Sequence, residues 1–340
     1  VMAMAFVAVV PLIVLFFTLV ALAVFWPVLD MVVLGASLAV VLLPVHRRLS
    51  QHTRPGVSAA LITVALFAVL AVTLFVTLTI LRANAGILDE IFTTIGTWLA
   101  NPATQPGAFG VPVARETLAS WLAEGNALFL NYWTTITANL MLIAVKAIVF
   151  FGSFFMLLIK GEDLYKRVGR HLPEPVKMYY DRLTPVAVDT LYVIYVVQIA
   201  IAALTFFISL PVFYLLGYGN ILFYSFLATV CELIPILGSS IAFILVGAYA
   251  LALGDMRGVL ILFFLGYIVV SALPELYVRP VLVGRRVRIH PIIMFVGIIG
   301  GLLTLGLAGF VLGPLIIVLL MKSYRIWTDE RKVPDPPSDA

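Results

Sequence analysis

Apolar residues in this 340-residue chain fall in long unbroken runs, not in the alternation of a strand or the one-sided stripe of a soluble helix. The runs lie at 3–26, 28–45, 57–81, 134–159, 191–216, 221–253, 258–273 and 291–321. A helix needs about 20 apolar residues to cross a bilayer, so the pattern predicts an all-α, polytopic helical membrane protein built from about eight apolar segments. A membrane β-barrel would show alternating segments of about 10 residues, and the sequence has none. Trp26-Pro27 is the expected tight turn between the first two runs. The first run has no basic leading region and no small-residue cleavage site, so it reads as a first span and not as a signal peptide.

Polar positions set the topology. The stretch 46–54 has three arginines and no acid, 160–189 has six Lys/Arg, 279–288 has four Arg, and the tail carries Lys322, Arg325, Arg331 and Lys332. Residues 82–133 instead have Arg82 and Arg115 against Asp89, Glu90, Glu116 and Glu124. The positive-inside rule places the basic stretches and both termini in the cytoplasm and 82–133 outside. A single crossing by 221–253 would then put the four-arginine loop outside. An entry and return on one side restores the parity.

The residues agree with a return. C-E-L-I-P-I-L-G-S-S at 231–240 sets Glu232, Pro235, Gly238, Ser239 and Ser240 in the middle of an apolar stretch. Pro235 has no N–H and disfavours helical geometry at Ile234, and Gly238 and the serines suit a reversal. Segment 291–321 is interrupted in the same way by Gly300, Gly301, Gly306 and Gly309, and both its flanks are basic. Each is read as a re-entrant or broken helical hairpin, the alternative being a kinked helix packed on small residues. Paired interrupted segments are the sequence pointer to a transporter's binding site.

Composition removes other classes. Charged residues are 11% and apolar residues 63% of the chain, with a mean hydropathy of +1.14, too apolar for a soluble surface. The net charge of +4 is explained by basic loops, so no nucleic-acid partner is expected. Cys231 is the single cysteine, and His46, His52, His171 and His290 lack ligand spacing, so no metal and no disulfide is expected. L-A-L-G-D at 251–255 lacks the first glycine of an intramembrane aspartyl protease motif, Gly-Ser-Ser at 238–240 has no facing histidine, and no nucleotide-binding loop is present. No enzyme is expected, and active transport would have to draw on an ion or substrate gradient.

Four stretches resemble the autoinducer-2 exporter family of bacterial and archaeal membrane proteins. They are F-F-M-L-L-I-K-G-E-D with H-L-P at 171–173, E-L-I-P-I-L-G at 232–238, V-R-P-V-L-V-G at 278–284 with I-H-P at 289–291, and G-G-L-L-T-L-G-L-A-G-F-V-L-G-P at 300–314. The resemblance implies a multi-pass transporter of the cell membrane, a homo-oligomer (a pentamer), moving its substrate by an elevator-like shift. It implies export of a small polar solute like autoinducer-2, or exchange of Na⁺ or Li⁺ for H⁺; a passive oligomeric pore is the alternative. Before the basic loop, where the family has polar residues, this chain has S-A-L-P-E. The expected division is transmembrane helices in 1–81, an extracytoplasmic helical segment at 82–133 and a fourth span at 134–159. Cytoplasmic amphipathic helices at 160–189, a transport core at 190–325 and a polar tail at 326–340 complete it.

The candidate chemistry centres on Glu232. A carboxylate at bilayer depth costs at least about 2.5 kcal/mol and has to be protonated, paired or wet. It is either a ligand for substrate or a coupling Na⁺ or H⁺, or a cap on the broken helix. Lys146 lies inside a span and either snorkels to the interface or serves as the charge partner of Glu232. Ser239, Ser240 and Thr304 offer hydroxyls, and opened backbone at Pro235, Gly238, Gly301 and Gly306 offers carbonyls and N–H groups. Gln198 and Thr205 share a helix face and either bond between helices or complete a polar pocket. Glu275 is expected to pair with Arg279.

Overall fold

The computed structural model describes residues 2–100, 120, 139–233, 238–283 and 291–330. Regular structure among them is helical throughout: α1 (Met2–Ser50), α2 (Pro55–Ala83), α3 (Ala85–Ala100), α4 (Leu140–His171), α5 (Glu174–Leu216), α6 (Ile221–Glu232), α7 (Ser240–Ala252), α8 (Met256–Val283) and α9 (Pro291–Glu330). Six of these are long and apolar enough to cross a membrane, and α6 and α7 are shorter apolar helices. The chain is a multi-pass helical membrane protein, as the hydropathy pattern predicts. Helices satisfy backbone polar groups internally, the requirement that a hydrocarbon surrounding imposes.

Several sequence expectations are corrected. The tight turn at Trp26-Pro27 does not form, because α1 runs unbroken for 49 residues, about 74 Å at 1.5 Å per residue. Proline removes one N–H and is tolerated in membrane helices. Without that turn, the crossing parity that placed the N-terminal end in the cytoplasm loses its basis. Residues 160–189 are not separate surface helices. α4 continues through 32 residues to His171, about 48 Å, and outruns a ~30 Å hydrocarbon core. After Leu172-Pro173, α5 starts at Glu174. The basic stretch at 279–288 is not all loop, since Arg279–Val283 is the last turn of α8. Pro235, Trp121, Trp133, Arg285, Arg286, Arg288, residues 101–107 and the tail beyond 330 lie outside the described residues.

The chain divides into two compact units. The first comprises 1–65, 141–191 and 289–340. Here α1 packs on α9, and Gly35 brings α1 against the backbone of α4, where a Cβ would strike Ser153 Oγ and Phe150 O. Buried Ser58 at the start of α2 bonds His46 Nδ1 at 3.0 Å, which ties the α1–α2 corner.

α9 is one helix only in name. Gly306 has φ 59°, ψ −139°, a conformation open to glycine and not part of any helix. Gly301 lies against Gly309 and Gly297 against Gly313 so tightly that a Cβ on any of them would overlap the opposing backbone. In a straight helix residues eight apart would be about 12 Å distant. The chain therefore doubles back at Gly306, with arms 291–305 and 307–330. The interrupted-hairpin reading holds over the kinked-helix alternative.

The second unit comprises 66–140 and 192–288. Its core takes Leu88, Ile91, Ile95 and Leu99 from α3, Phe213 and Leu216 from α5, Phe223 and Tyr224 from α6, Phe243 and Val246 from α7, and Leu262 and Val270 from α8. The 3-4-4 spacing on α3 is a buried helical face, so this part of 82–133 packs against protein, not on a lipid surface. α5 and α6 are antiparallel neighbours joined by the turn 217–220, with Gly217, Gly219 and Asn220 at positive φ. α6 and α7 pack against each other and form the second hairpin.

Candidate functional site

The site forms where α6 stops. Glu232 is the last residue of α6 and only 4% exposed. Its Oε2 accepts the Ser239 N–H at 2.8 Å, across the break and at the start of α7. An anion there meets unpaired N–H groups and the positive end of the α7 dipole. One carboxylate oxygen thus bonds the start of α7. Gly238 makes the fold-over possible. It has φ +48°, and a Cβ would lie 2.9 Å from Glu232 Oε2.

α5 supplies the next layer. Thr205 lies 12 residues before Gly217 and Glu232 lies 12 residues after Asn220, so in an antiparallel pair they share a level. That level is about 18 Å along the helices from the turn, more than half of a ~30 Å hydrocarbon core. Gln198 follows a π-helical stretch, Val193–Val197, a local widening common at functional sites. Its Nε2 donates to the Glu232 carbonyl, one of the acceptors left open at a helix C-terminus. Its Oε1 accepts from Arg279 Nη1 at 3.1 Å. Gln198 and Thr205 therefore do not act alike: Gln198 makes an interhelical bond, whereas Thr205 Oγ1 is buried with no partner among the described residues.

α8 supplies the third wall. Ser271, Glu275 and Arg279 recur every four residues through the π-helical stretches Leu262–Ala272 and Pro274–Val278, which sets them along one face. Ser271 Oγ is 2.8 Å from Ser239 Oγ. Arg279 Nε donates to Glu275 Oε2 at 2.6 Å, and Arg279 Nη2 is buried without a partner among the described residues. The expected Glu275–Arg279 pair forms, but inside the site and not in a loop. Ser271 and Arg279 were missed as site residues because Pro274 and the arginine run suggested that the helix ended earlier. Their four-residue spacing was the available signal.

Buried side-chain donors or acceptors without a partner, among the described residues, are Thr205 Oγ1, Ser225 Oγ and Arg279 Nη2. All belong to the second unit. Such atoms are costly unless something else meets them. Ser240 opens α7 beside Ser239.

Other predicted residues lie elsewhere. Lys146 Nζ is 2.6 Å from Asp30 Oδ2, and both are partly buried in the first unit. Of its two expected roles, the one as charge partner of Glu232 is not what its ammonium does here, since Asp30 takes it. Gly301, Thr304 and Gly306 also belong to the first unit. Gly301 is closed by Gly309, and Thr304 Oγ1 donates to the Gly300 carbonyl at 2.8 Å within its own helix.

Broken hairpins and a buried polar cluster within a multi-pass helical protein define a membrane transporter. The family model of the AI-2E family transporters matches residues 12–329, and the chain belongs to that family. A protein of Methanothermobacter thermautotrophicus, provisionally named a transport protein, is 28% identical over 292 residues, covering 84% of each chain. One of Archaeoglobus fulgidus, named in the same way, is 26% identical over 316 residues and 90% of each chain. A third, from Aquifex aeolicus, is 25% identical over 53% of this chain and 50% of its own.

Proposed function

We propose that this chain is a secondary transporter that loads a monovalent cation, Na⁺ or H⁺, at Glu232. The observation that carries the reading is the charge of the buried cluster. Glu275 and Arg279, both only partly buried, pair with each other, so buried Glu232 carries the cluster's uncompensated negative charge when it is ionised. A net buried charge is expensive, and a cation that neutralises it binds where the cost is greatest. Hydroxyls of Ser239, Ser271 and Thr205 are the oxygen ligands a small hard cation takes. Exchange of Na⁺ or Li⁺ for H⁺ then needs one carboxylate to serve two ions in turn.

Export of a small polar solute is the second reading. Arg279 Nη2 favours it, because a buried guanidinium N–H without a partner is a donor for a solute oxygen. Both readings use alternating access. The division of the chain into two compact units, with the cluster in one, suits an elevator-like movement of that unit. The assembly is proposed to be a homo-oligomer, a pentamer by the family resemblance. The basic stretches and the C-terminal end face the cytoplasm.

The test is flux in proteoliposomes under imposed pH and Na⁺ gradients, comparing the parent with Glu232→Gln. Na⁺-driven proton movement that Glu232→Gln abolishes, with the oligomer intact, supports the cation reading. No Na⁺-linked signal in the parent overturns it and leaves solute export. Cys231, the single cysteine, adjoins Glu232 and is partly exposed. A membrane-impermeant thiol reagent should label it from one side at a time, with Na⁺ changing which. Labelling from both sides at once, with ungated flux, would mean a passive pore.

A further inference from the structure

Three buried hydroxyls lie where α5 meets α6, and only one of them, Thr205, belongs to the cation site. Ser209 and Ser225 are as fully buried as Thr205. Ser225 Oγ and Thr205 Oγ1 have no partner among the described residues. Ser209 Oγ donates to the Phe206 carbonyl at 2.9 Å, within its own helix, and keeps its lone pairs. Hydroxyls so placed between apolar helices are costly unless something polar runs between them.

They form a line that leads to Glu232. On α6, Ser225, Ala228 and Glu232 recur at steps of three and four, so they share one buried face. Cys231, on the adjoining side, contacts the Ala242 backbone of α7, which leaves the Ser225 face to α5, the main neighbour of α6. On α5, Thr205 and Ser209 are one turn apart on the face of Gln198, which bonds the Glu232 carbonyl. Register follows from two rings, since Phe213 stacks on Tyr224 with centres 5.3 Å apart. Counted from that pair, Ser225 is level with Val212, Ser209 with Ala228 and Thr205 with Glu232. Along the helices, Ser225 to Ser209 is then about 4.5 Å and Ser209 to Thr205 about 6 Å. One water, with two hydrogen bonds of about 2.8 Å, spans a step of that size. Ala228, level with Ser209, contributes only a methyl group.

We propose that this contact is the proton path to Glu232 from the side of the 217–220 turn, through single waters that link Ser225, Ser209 and Thr205. The proposal rests on the cation reading above and adds that H⁺ and Na⁺ reach the carboxylate by different routes. A hydroxyl accepts a proton on a lone pair as it releases its own. The proton that arrives at Glu232 is therefore not the one that entered beside Ser225, and every oxygen ends with the protons it began with. Na⁺ has to keep several oxygens around it at once, and one hydroxyl per step cannot supply them.

The test follows Glu232 itself. The full chain in detergent is given a pH jump, and the carboxyl stretch that Glu232→Gln lacks is followed by time-resolved infrared spectroscopy. Proton flux in proteoliposomes is measured beside it. Ser225→Ala should slow protonation about tenfold, the scale of one hydrogen bond missing from the route. Ser225→Thr, which restores a hydroxyl, should return the parent rate. Proton flux should fall in step, with the Na⁺ concentration for half-maximal flux unchanged. Ser209→Ala is the second probe and should behave as Ser225→Ala does. Parent rates in both alanine variants overturn the proposal. So does a lowered Tm with the rate intact, which would make the hydroxyls structural. Slowed protonation in both, with no Na⁺-linked flux in the parent, supports the path and overturns only the exchange reading.

Discussion

The two hairpins begin from the same sequence sign, an apolar run interrupted by glycine, and end as opposite structures. In 221–252 α6 stops at Glu232, the start of α7 and Gln198 both bond it, and Arg279 bonds Gln198 in turn. In 291–330 the break is a single residue, Gly306, and the glycines on either side close the arms onto each other. One hairpin uses its glycine to let a carboxylate fold over, whereas the other uses glycines to remove side chains. An interruption in a membrane segment therefore does not by itself mark a binding site. The polar residue at its edge does.

The largest test of that contrast is at Glu232. Glu232→Gln removes the charge but keeps the size and the acceptor facing the Ser239 N–H. Cation-linked flux should fall about 100-fold, the loss of roughly 3 kcal/mol from a buried charged interaction. Proton or Na⁺ flux in proteoliposomes measures it, and retention of flux would reduce Glu232 to a cap. Gly309→Leu is the matching change in the other hairpin. It forces the arms apart at Gly301 and should cost about 3 kcal/mol, typical of severe overpacking, seen as a lower Tm in detergent. A variant that kept its Tm but lost flux would make the glycine hairpin part of the transport site and erase the contrast.

The units also differ in how they treat charge. Lys146 and Asp30 form a pair that sums to zero, whereas the cluster around Glu232 does not. Lys146→Met should destabilise by roughly 2 kcal/mol because it strands Asp30, and adding Asp30→Asn should recover most of that loss. Thermal unfolding of the two variants checks it. Flux lost in both, with stability recovered in the double variant, would place this pair in the transport pathway after all.

Much of this was legible in the chain. Run lengths gave the helices, and Gly238 and Gly306 gave the breaks, because those residues act on the local backbone. Glu232 stood out because a charge in an apolar run is costly wherever it ends up. What escaped was set by neighbours distant in sequence. Nothing near Lys146 announces that Asp30, 116 residues away, will take its ammonium. Arg279 sits among arginines and after a proline, and only a π-helical α8 turns it inward. Trp26-Pro27 looked like a turn because proline breaks soluble helices, a cost that a membrane segment bears more easily.

The smallest effect lies at the far end of the polar hairpin, where α7 gives way to α8. Asp255 caps α8, with Oδ1 accepting the Gly258 N–H at 3.0 Å and Oδ2 accepting the Tyr218 hydroxyl at 2.7 Å. These two bonds, the backbone one first, hold its carboxyl below the ordinary 3.8, while burial and the same contact push the Tyr218 phenol up. A carboxyl with a depressed folded value stabilises above its ordinary value, and that contribution fades as pH falls through the folded one. Asp255→Asn should therefore lower Tm slightly at neutral pH, and parent and variant should converge only below about 3.8. If they converge already near pH 6, another group holds this corner. If the glycine hairpin's unit shows the same acid dependence in hydrogen exchange, the sensitivity is not confined to the polar hairpin, and the contrast between the two is weaker than their tips imply.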